Sequence, residues 1–229
     1  MGTAACNHEQ ELKDIFAGRP EVAALAAAAG SGDIYEIDRL VGLGTDVNYL
    51  GKGNISPLLW ALLRENKRGF EQMLEVGARA DLLRNGMRST LDIIALNPDS
   101  DYLRMALAHG ANPNTVNDWN FQTPIFETLE DSLIENMNML IDAGADINFQ
   151  NRAGTTPLIF AAGQNHYHVA FILLKSGADF RIRENTGNTV VYSIENNTFV
   201  ESLDTGGWRA KVVEFLRERG VEVSPKYSD

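Results

Sequence analysis

A glycine-centred step recurs along this chain at an almost constant interval, and it restricts the fold more than any other feature. Its glycines lie 33 or 34 residues apart, at Gly44, Gly77, Gly110, Gly144 and Gly177. A hydroxyl residue keeps the same phase, at Ser56, Ser89, Thr123, Thr156 and Thr189. A repeat of this length predicts a stack of small, similar units, each of which buries its apolar face only against its neighbours.

Each repeat carries the signals of two helices. Serine and threonine are preferred N-caps, and Pro57, Pro124 and Pro157 follow them at the first helical position, so a first helix is predicted at each signature. Apolar pairs precede each repeat glycine by three and four residues and predict a second helix that faces the core between repeats. The pairs are Leu40/Val41, Met73/Leu74, Ala106/Leu107, Leu140/Ile141 and Leu173/Leu174. The glycine then supplies the left-handed end of that helix.

The hydroxyl signatures resemble the Thr-Pro-Leu-His-x-Ala pattern of the ankyrin repeat family. The best copies are Ser-Pro-Leu-Leu-Trp-Ala at 56–61, Thr-Pro-Ile-Phe-Glu-Thr at 123–128 and Thr-Pro-Leu-Ile-Phe-Ala at 156–161. The resemblance covers residues 21–224 and implies an all-α fold, an ankyrin-repeat solenoid of about six helix-turn-helix repeats with short β-hairpin connections. No copy contains the family's histidine, so the usual hydrogen bonds between neighbouring signatures cannot rest on it.

The period also divides the chain into segments. We place the repeats at 21–48, 49–81, 82–114, 115–148, 149–181 and 182–224, with an N-terminal tail or short helix at 1–20 and a C-terminal tail at 225–229. Residues 9–16 are predicted to be helical and to pack on the first repeat. Gly220 follows Gly177 by 43 residues, which predicts an insertion of about ten residues near 196–208. Because the insertion contains Gly206 and Gly207, a loop between the two helices of the last repeat is favoured.

The charge of the chain restricts its partners. A net charge of −11 disfavours nucleic acid and anionic lipid surfaces and favours a protein partner with a basic or mixed surface. No apolar run approaches the roughly 20 residues that a transmembrane helix needs. With Cys6 as the single cysteine, the chain can form neither an internal disulfide nor a multi-cysteine zinc site. We expect no metal and no cofactor, and a monomer when the protein is unbound.

Catalytic arrangements have little support in the sequence. His166 and His168 could offer two metal-binding nitrogens, but a third ligand is not evident nearby, and His166 occupies the position that opens a second helix. Four carboxylates cluster in repeat 4, at Glu127, Glu130, Asp131 and Glu135. An acid/base pair needs an apolar pocket that separates two pKa values, which repeat surfaces seldom provide. We therefore predict a protein that is not an enzyme, with a small hydrolase using the repeat-4 carboxylates as the alternative.

The resemblance implies that binding uses the concave surface formed by the finger tips between repeats and the ends of the first helices. The register places ten candidate residues there: Tyr49, Leu50, Arg84, Arg88, Trp119, Phe121, Glu130, Asp131, Phe149 and Arg152. Aromatic residues and arginine are frequent interface anchors. The connection from Gly110 to Thr123 is one residue longer than the others, and Phe121 replaces the glycine usual at that position. Trp119 and Phe121 are predicted to be exposed anchors or, alternatively, to fold back onto the neighbouring finger.

The sharpest functional hypothesis is an inhibitor or immunity protein that neutralises a bacterial effector toxin through its concave surface. It is motivated by the acidic charge, the length of one domain and the position of Cys6. A cytoplasmic adaptor or scaffold is the competing hypothesis of the same class.

The small residues before Cys6 resemble the end of a bacterial lipoprotein signal, with Met1-Gly2 standing in for the missing hydrophobic region. This pattern predicts a lipidated Cys6, residues 7 to about 20 as a tether and a periplasmic location. An ordinary frayed terminus and a cytoplasmic location are the alternative.

Overall fold

The computed structural model describes residues 2–83, 88–196, 204 and 206–224, with side chains from residue 8 onward. Within these residues the regular structure is helical and no strand occurs. The helices are α1 (Gly2–Ile15), α2 (Pro20–Ser31), α3 (Ile34–Gly42), α4 (Pro57–Leu63), α5 (Lys67–Glu75), α6 (Thr90–Ala95), α7 (Asp101–Ala108), α8 (Ile134–Asp142), α9 (Pro157–Gly163), α10 (Tyr167–Lys175), α11 (Val190–Asn196) and α12 (Trp208–Arg217). Short 3-10 helices occur at Lys52–Asn54, Pro124–Thr128 and Asp131–Leu133. The chain forms two compact units, Met1–Asn112 and Pro113–Asp229, which we call the N-terminal and C-terminal units.

The predicted helix starts are confirmed by their caps. The Ser56 hydroxyl accepts a hydrogen bond from the Leu59 N–H at 3.0 Å, and the Thr156 hydroxyl accepts one from the Ile159 N–H at 3.3 Å. Ser89 forms a reciprocal capping box with Asp92. Each cap satisfies an N–H group that has no partner within its own helix.

The second helices and their glycine ends also follow the predicted pattern. All five repeat glycines have left-handed backbone, with φ between 81° and 97°. The first member of each apolar pair is buried, at Leu40, Met73, Ala106, Leu140 and Leu173. The second member is buried in only two repeats, because Val41, Leu107 and Ile141 are half-exposed.

The β-hairpin connections are a wrong detail of the prediction, because no strand pairing is present in the described residues. Four fingers are each closed by a backbone hydrogen bond between their first and last residues, at 51–55, 117–122, 151–155 and 184–188. Side-chain amides tie successive repeats together instead. In the C-terminal unit, the Asn114 amide donates to the Gly144 carbonyl at 2.9 Å and its oxygen accepts from the Asp146 N–H at 2.7 Å. Asn48 makes the same pair of contacts, with Gly77 and Arg79, in the N-terminal unit.

Helix α1 covers the first repeat. Leu12 and Phe16 are buried in a cluster with Val22 and Ala26 of α2 and with Trp60 of α4. The predicted packing of residues 9–16 is therefore found, and the helix extends further toward the N-terminus. The tether predicted for residues 7 to about 20 is wrong. Leu12 and Phe16, apolar residues at helical spacing in this segment, pack against the repeats and are not exposed to solvent.

Repeat 4 departs from its neighbours. Its first helix is the 3-10 helix Pro124–Thr128, and the buried Thr123 hydroxyl makes no capping hydrogen bond. Thr128 stands where the family pattern has alanine, and its hydroxyl donates to the Ile125 carbonyl at 2.8 Å. Such back-bonding from a threonine competes with regular helical hydrogen bonding, which gives a physical reason for the tighter helix.

The predicted insertion near 196–208 lies partly outside the described residues. Its last part is fixed by Asp204, whose carboxylate accepts hydrogen bonds from the backbone N–H groups of Trp208 and Arg209 at 2.7 and 2.9 Å. Helix α12 therefore begins at an acidic cap supplied by the insertion.

Candidate protein-binding surface

In the N-terminal unit, the candidate Tyr49 is packed against residues that precede the first repeat. Tyr49 is half-buried, and its ring centroid lies 6.3 Å from that of Phe16. The guanidinium carbon of Arg19 lies 4.8 Å from the Tyr49 ring centroid. Gly51 also touches α1, because a Cβ there would lie 2.6 Å from the Ile15 carbonyl oxygen. Tyr49 thus packs against the N-terminal segment, a contact that the repeat pattern did not predict.

The remaining candidates of the N-terminal unit give less information. Leu50 is half-exposed and Arg88 is exposed. Arg84 lies outside the described residues.

Residues 117–122, which we call the tryptophan finger, carry the most exposed aromatic candidate. The Trp119 side chain is 67% exposed, and Phe121 is 40% exposed. Phe121 has φ of 54°, in the left-handed region. Residues 151–155, the glycine finger, have Gly154 with φ of 78° at the matching place, one residue before the finger closes. A left-handed backbone costs a residue with a side chain roughly 1–2 kcal/mol, so the Phe121 conformation is strained.

Phe121 packs on the neighbouring finger, whereas Trp119 projects into solvent. The Phe121 ring lies 6.1 Å from the Phe149 ring, and the Arg152 guanidinium carbon lies 5.5 Å from the Phe121 ring centroid. The two alternatives raised for this finger therefore apply to different residues. Phe149 is half-exposed and Arg152 is exposed, so together with Phe121 they form one patch beside the indole.

Hydrogen bonds hold this patch in place. Within the tryptophan finger, the Asn117 N–H donates to the Gln122 carbonyl at 2.9 Å, and the Asn120 side chain bonds to Gln122. On the other side, the Asn185 amide donates to the Arg152 carbonyl at 2.8 Å. Both fingers are thus fixed at their backbones, which lowers the entropy lost when a partner binds.

The patch continues inward as a row of phenylalanines that the sequence did not single out as a binding feature. Phe149 contacts Phe126 edge-to-face at 6.4 Å, and Phe126 contacts Phe160 in the same way at 6.1 Å. Phe126 is buried, while Phe160 is half-exposed. The sequence offered little signal for this row, because Phe126 is the fourth residue of its signature and Phe160 is the fifth residue of the next one.

The two acidic candidates have a different environment. Glu130 and Asp131 are exposed, and an Asp131 carboxylate oxygen lies 3.3 Å from Nδ1 of His168. The His168 ring in turn stacks on the Trp208 indole, with centroids 4.0 Å apart. Asp131 thus lies beside His168 of α10, whose ring stacks on Trp208 at the beginning of α12.

The structure also bears on the metal and catalytic alternatives. Over the residues that the structure describes, no group of three histidine, cysteine or acidic side chains has the geometry of a metal site. His166 lies at the N-cap position of α10, where a structural role was predicted. Among the repeat-4 carboxylates, Glu127 is buried in its 3-10 helix, and Glu130, Asp131 and Glu135 are exposed, an environment that does not favour an acid/base pair. In the same described part of the chain, no helix is both long and apolar enough for a membrane span.

Comparison with known proteins finds a family model and several relatives that match this chain. A family model described as "Ankyrin repeats (3 copies)" matches residues 91–184 and residues 129–226. Protein PhlB of Serratia liquefaciens is 32% identical over 115 residues, which are 50% of this chain and 51% of PhlB, so the match spans about half the length of that relative. Cyclin-dependent kinase 4 inhibitor B of Rattus norvegicus is 24% identical over 130 residues, which are 57% of this chain and 99% of the inhibitor.

Two solved structures have similar folds. An ankyrin repeat domain from Acinetobacter baumannii AYE has a TM-score of 0.68 and 25% identity, over 86% of this chain and 98% of that one. A chain in the solved structure of the Bdellovibrio bacteriovorus predatory endopeptidase Bd0816 in complex with immunity protein Bd3460 has a TM-score of 0.62 and 22% identity, over 82% of this chain and 97% of that one. At this identity the second likeness shows the fold alone.

Proposed function

Since the chain belongs to the ankyrin repeat family, whose members are protein–protein interaction modules, we propose that it is an inhibitor or immunity protein that neutralises a bacterial effector toxin. The observation that carries the proposal is the exposed Trp119 on a finger that holds Phe121 in a strained backbone conformation. Strain of this kind persists where the surrounding structure enforces it, and it concentrates at functional sites.

The chemistry of the patch supports a protein partner. Tryptophan and arginine are enriched among the residues that dominate binding energy, and such residues act best where surrounding contacts exclude water. Trp119 supplies the exposed indole, and Phe121, Phe149 and Arg152 supply the surroundings. The kinase inhibitor among the relatives supports the inhibitory role by analogy.

The proposed surface lies in the C-terminal unit. Tyr49 is already packed against Phe16 and Arg19, so the first finger offers a partner less free aromatic surface than the tryptophan finger does. The acidic Glu130 and Asp131 act in this proposal as steering charges for a basic region of the partner.

Site-specific photocrosslinking tests the proposal. A benzoylphenylalanine residue at position 119 is used to capture the partner in the native cell, and the same residue at Tyr35 of α3, which is 81% exposed, is the matched control. We expect capture from position 119 only, with binding lost in Trp119→Ala and kept in Tyr35→Ala. Capture from position 35 alone would place the interface elsewhere.

Activity of the captured partner then separates the two binding hypotheses. An inhibitor lowers the toxic or enzymatic activity of its partner at stoichiometric addition. A partner whose activity is unchanged indicates the adaptor or scaffold. Activity of the purified protein on a panel of hydrolase substrates, abolished in a Glu127→Gln variant, would instead favour the hydrolase.

We also propose that the native protein is periplasmic and lipid-anchored at Cys6. The proposal rests on the small residues before this cysteine, which belongs to α1. Metabolic labelling with a fatty-acid analogue should mark the native protein and should fail in Cys6→Ser. An unlabelled native protein overturns the proposal and leaves the inhibitory function untouched.

A further inference from the structure

The C-terminal unit contains a cavity of about 370 Å³ away from the aromatic patch, between the turn after α10 and the side of α12. Leu174, Ala178, Phe180 and Phe215 supply apolar walls. Two guanidinium groups, those of Arg181 and Arg219, line the same space. The cavity therefore combines a hydrophobic wall with a pair of cations.

Both arginines are oriented by stacking on an aromatic ring. The Arg181 guanidinium carbon lies 4.4 Å from the Phe180 ring centroid, and that of Arg219 lies 3.5 Å from the Phe215 centroid. Stacking on a ring fixes the plane of a guanidinium group and leaves its N–H edge free to form two parallel hydrogen bonds with an oxyanion. Nη1 of Arg219 is partly used, because it donates to the Phe215 carbonyl at 3.0 Å.

Each of the two arginines has one acidic neighbour. Asp179 lines the cavity, but the oxygen that lies 3.8 Å from Nη1 of Arg181 also accepts a 2.9 Å hydrogen bond from the Arg181 backbone N–H. Glu218 lies 3.5 Å from Nη1 of Arg219, with its side chain 65% exposed. Two arginines and one carboxylate thus line the cavity itself, and the second carboxylate, that of Glu218, lies beside Arg219 at its exposed edge.

We propose that this cavity binds an amphipathic oxyanion, a carboxylate or phosphate group held between Arg181 and Arg219 with its apolar part against Phe215 and Leu174. The ligand joins the turn after α10 to α12, and it binds independently of the tryptophan finger.

Titration of the isotopically labelled full chain, followed by NMR at constant ionic strength, tests this site. The probes are inorganic phosphate, acetate and hexanoate, which separate a bare oxyanion from one with an apolar chain. We expect saturable shifts at the amides of residues 177–181 and in α12, with hexanoate binding more tightly than acetate. Absence of saturable binding by all three probes overturns the proposal, and equal affinity for acetate and hexanoate overturns its amphipathic part.

Variants assign the binding to the two arginines. Arg181→Gln and Arg219→Gln should each weaken binding at least tenfold, and Arg219→Lys should retain part of the affinity because it keeps the charge but loses the planar fork. Arg39→Gln, on the exposed face of α3, is the matched control and should leave binding unchanged. Circular dichroism melts verify folding. Binding within twofold of the wild type in Arg219→Gln, or an equal loss in Arg39→Gln, contradicts the site.

Discussion

Two neighbouring fingers of the C-terminal unit, the tryptophan finger and the glycine finger, are closed by the same kind of hydrogen bond but contain different residues. Both close through a backbone hydrogen bond, and both place a left-handed residue directly before the closing position. The glycine finger uses Gly154, and Asn185 lies so close that a Cβ on the glycine would be 2.8 Å from its backbone nitrogen. The tryptophan finger has one more residue and uses Phe121. The difference indicates that one finger is built for close packing and the other for presenting aromatic side chains.

The largest expected effect concerns the core that supports both fingers. Leu158 of α9 is buried between repeats, and Leu158→Ala should lower the free energy of unfolding by roughly 2–5 kcal/mol because it removes buried volume. Urea denaturation measures this loss. Asp118→Ala, on the exposed part of the tryptophan finger, is the control that should leave stability nearly unchanged. A loss below about 0.5 kcal/mol for Leu158→Ala would remove the assigned repeat register, since core leucines seldom cost so little.

The second prediction concerns Trp119, the most exposed aromatic side chain of the two fingers. Trp119→Ala should weaken partner binding by about 2 kcal/mol or more, chiefly through faster dissociation, because an interface tryptophan fills a desolvated pocket. Surface plasmon resonance with the captured partner measures both rates. The melting temperature should stay that of the wild type, since the indole is 67% exposed. Wild-type kinetics in this variant would exclude the tryptophan finger as the anchor.

The third prediction concerns Gly154→Ala, which tests the close packing of the glycine finger. The new side chain meets the Asn185 backbone and also forces a residue with a Cβ into the left-handed region, so we expect a loss of about 1–2 kcal/mol in stability. Thermal and urea unfolding measure it. Gly187→Ala provides a matched control, because its backbone is equally left-handed but a Cβ there meets nothing within 4 Å. An equal loss in both variants would mean that backbone strain alone, without the close approach, explains the glycine.

The smallest effect is electrostatic. Glu130→Gln combined with Asp131→Asn should slow association with a basic partner and reduce its dependence on salt, while dissociation changes little. Glu71→Gln with Glu75→Gln removes the same charge from exposed positions of α5 and is the control for net charge alone. Association rates at two salt concentrations decide the outcome. Equal slowing by both double variants would show that the position of Glu130 and Asp131 is irrelevant.

Much of the scaffold that carries these fingers is encoded locally and could be predicted from sequence. Ser56, Ser89 and Thr156 accept hydrogen bonds from N–H groups three residues away. The repeat glycines adopt the left-handed backbone of a helix end at little steric cost. The β-hairpins were a wrong detail, because closure by a few turn hydrogen bonds and by side chains such as Asn114 needs no strand ladder.

The candidate site was harder to predict because it depends on contacts between elements. No local pattern predicts that Phe16 and Arg19 pack on Tyr49. The same is true of the different directions of Phe121 and Trp119 and of the contact between Asp131 and His168. The signal that was present, a phenylalanine at a glycine position in a lengthened finger, did mark the unusual connection correctly.

The most direct test of the central claim measures stability and partner binding together in Phe121→Gly and Phe121→Ala. Both variants remove the ring, but glycine relieves the left-handed strain, so Phe121→Gly should be more stable than Phe121→Ala by about 1 kcal/mol. Both should bind the captured partner equally weakly, by a factor of about ten or more relative to the wild type, because Phe121 supplies contacts that exclude water around the Trp119 anchor. This result would show that the finger keeps a strained phenylalanine for binding. Wild-type affinity in Phe121→Gly would contradict the claim, because the packing of the ring would then play no part in binding.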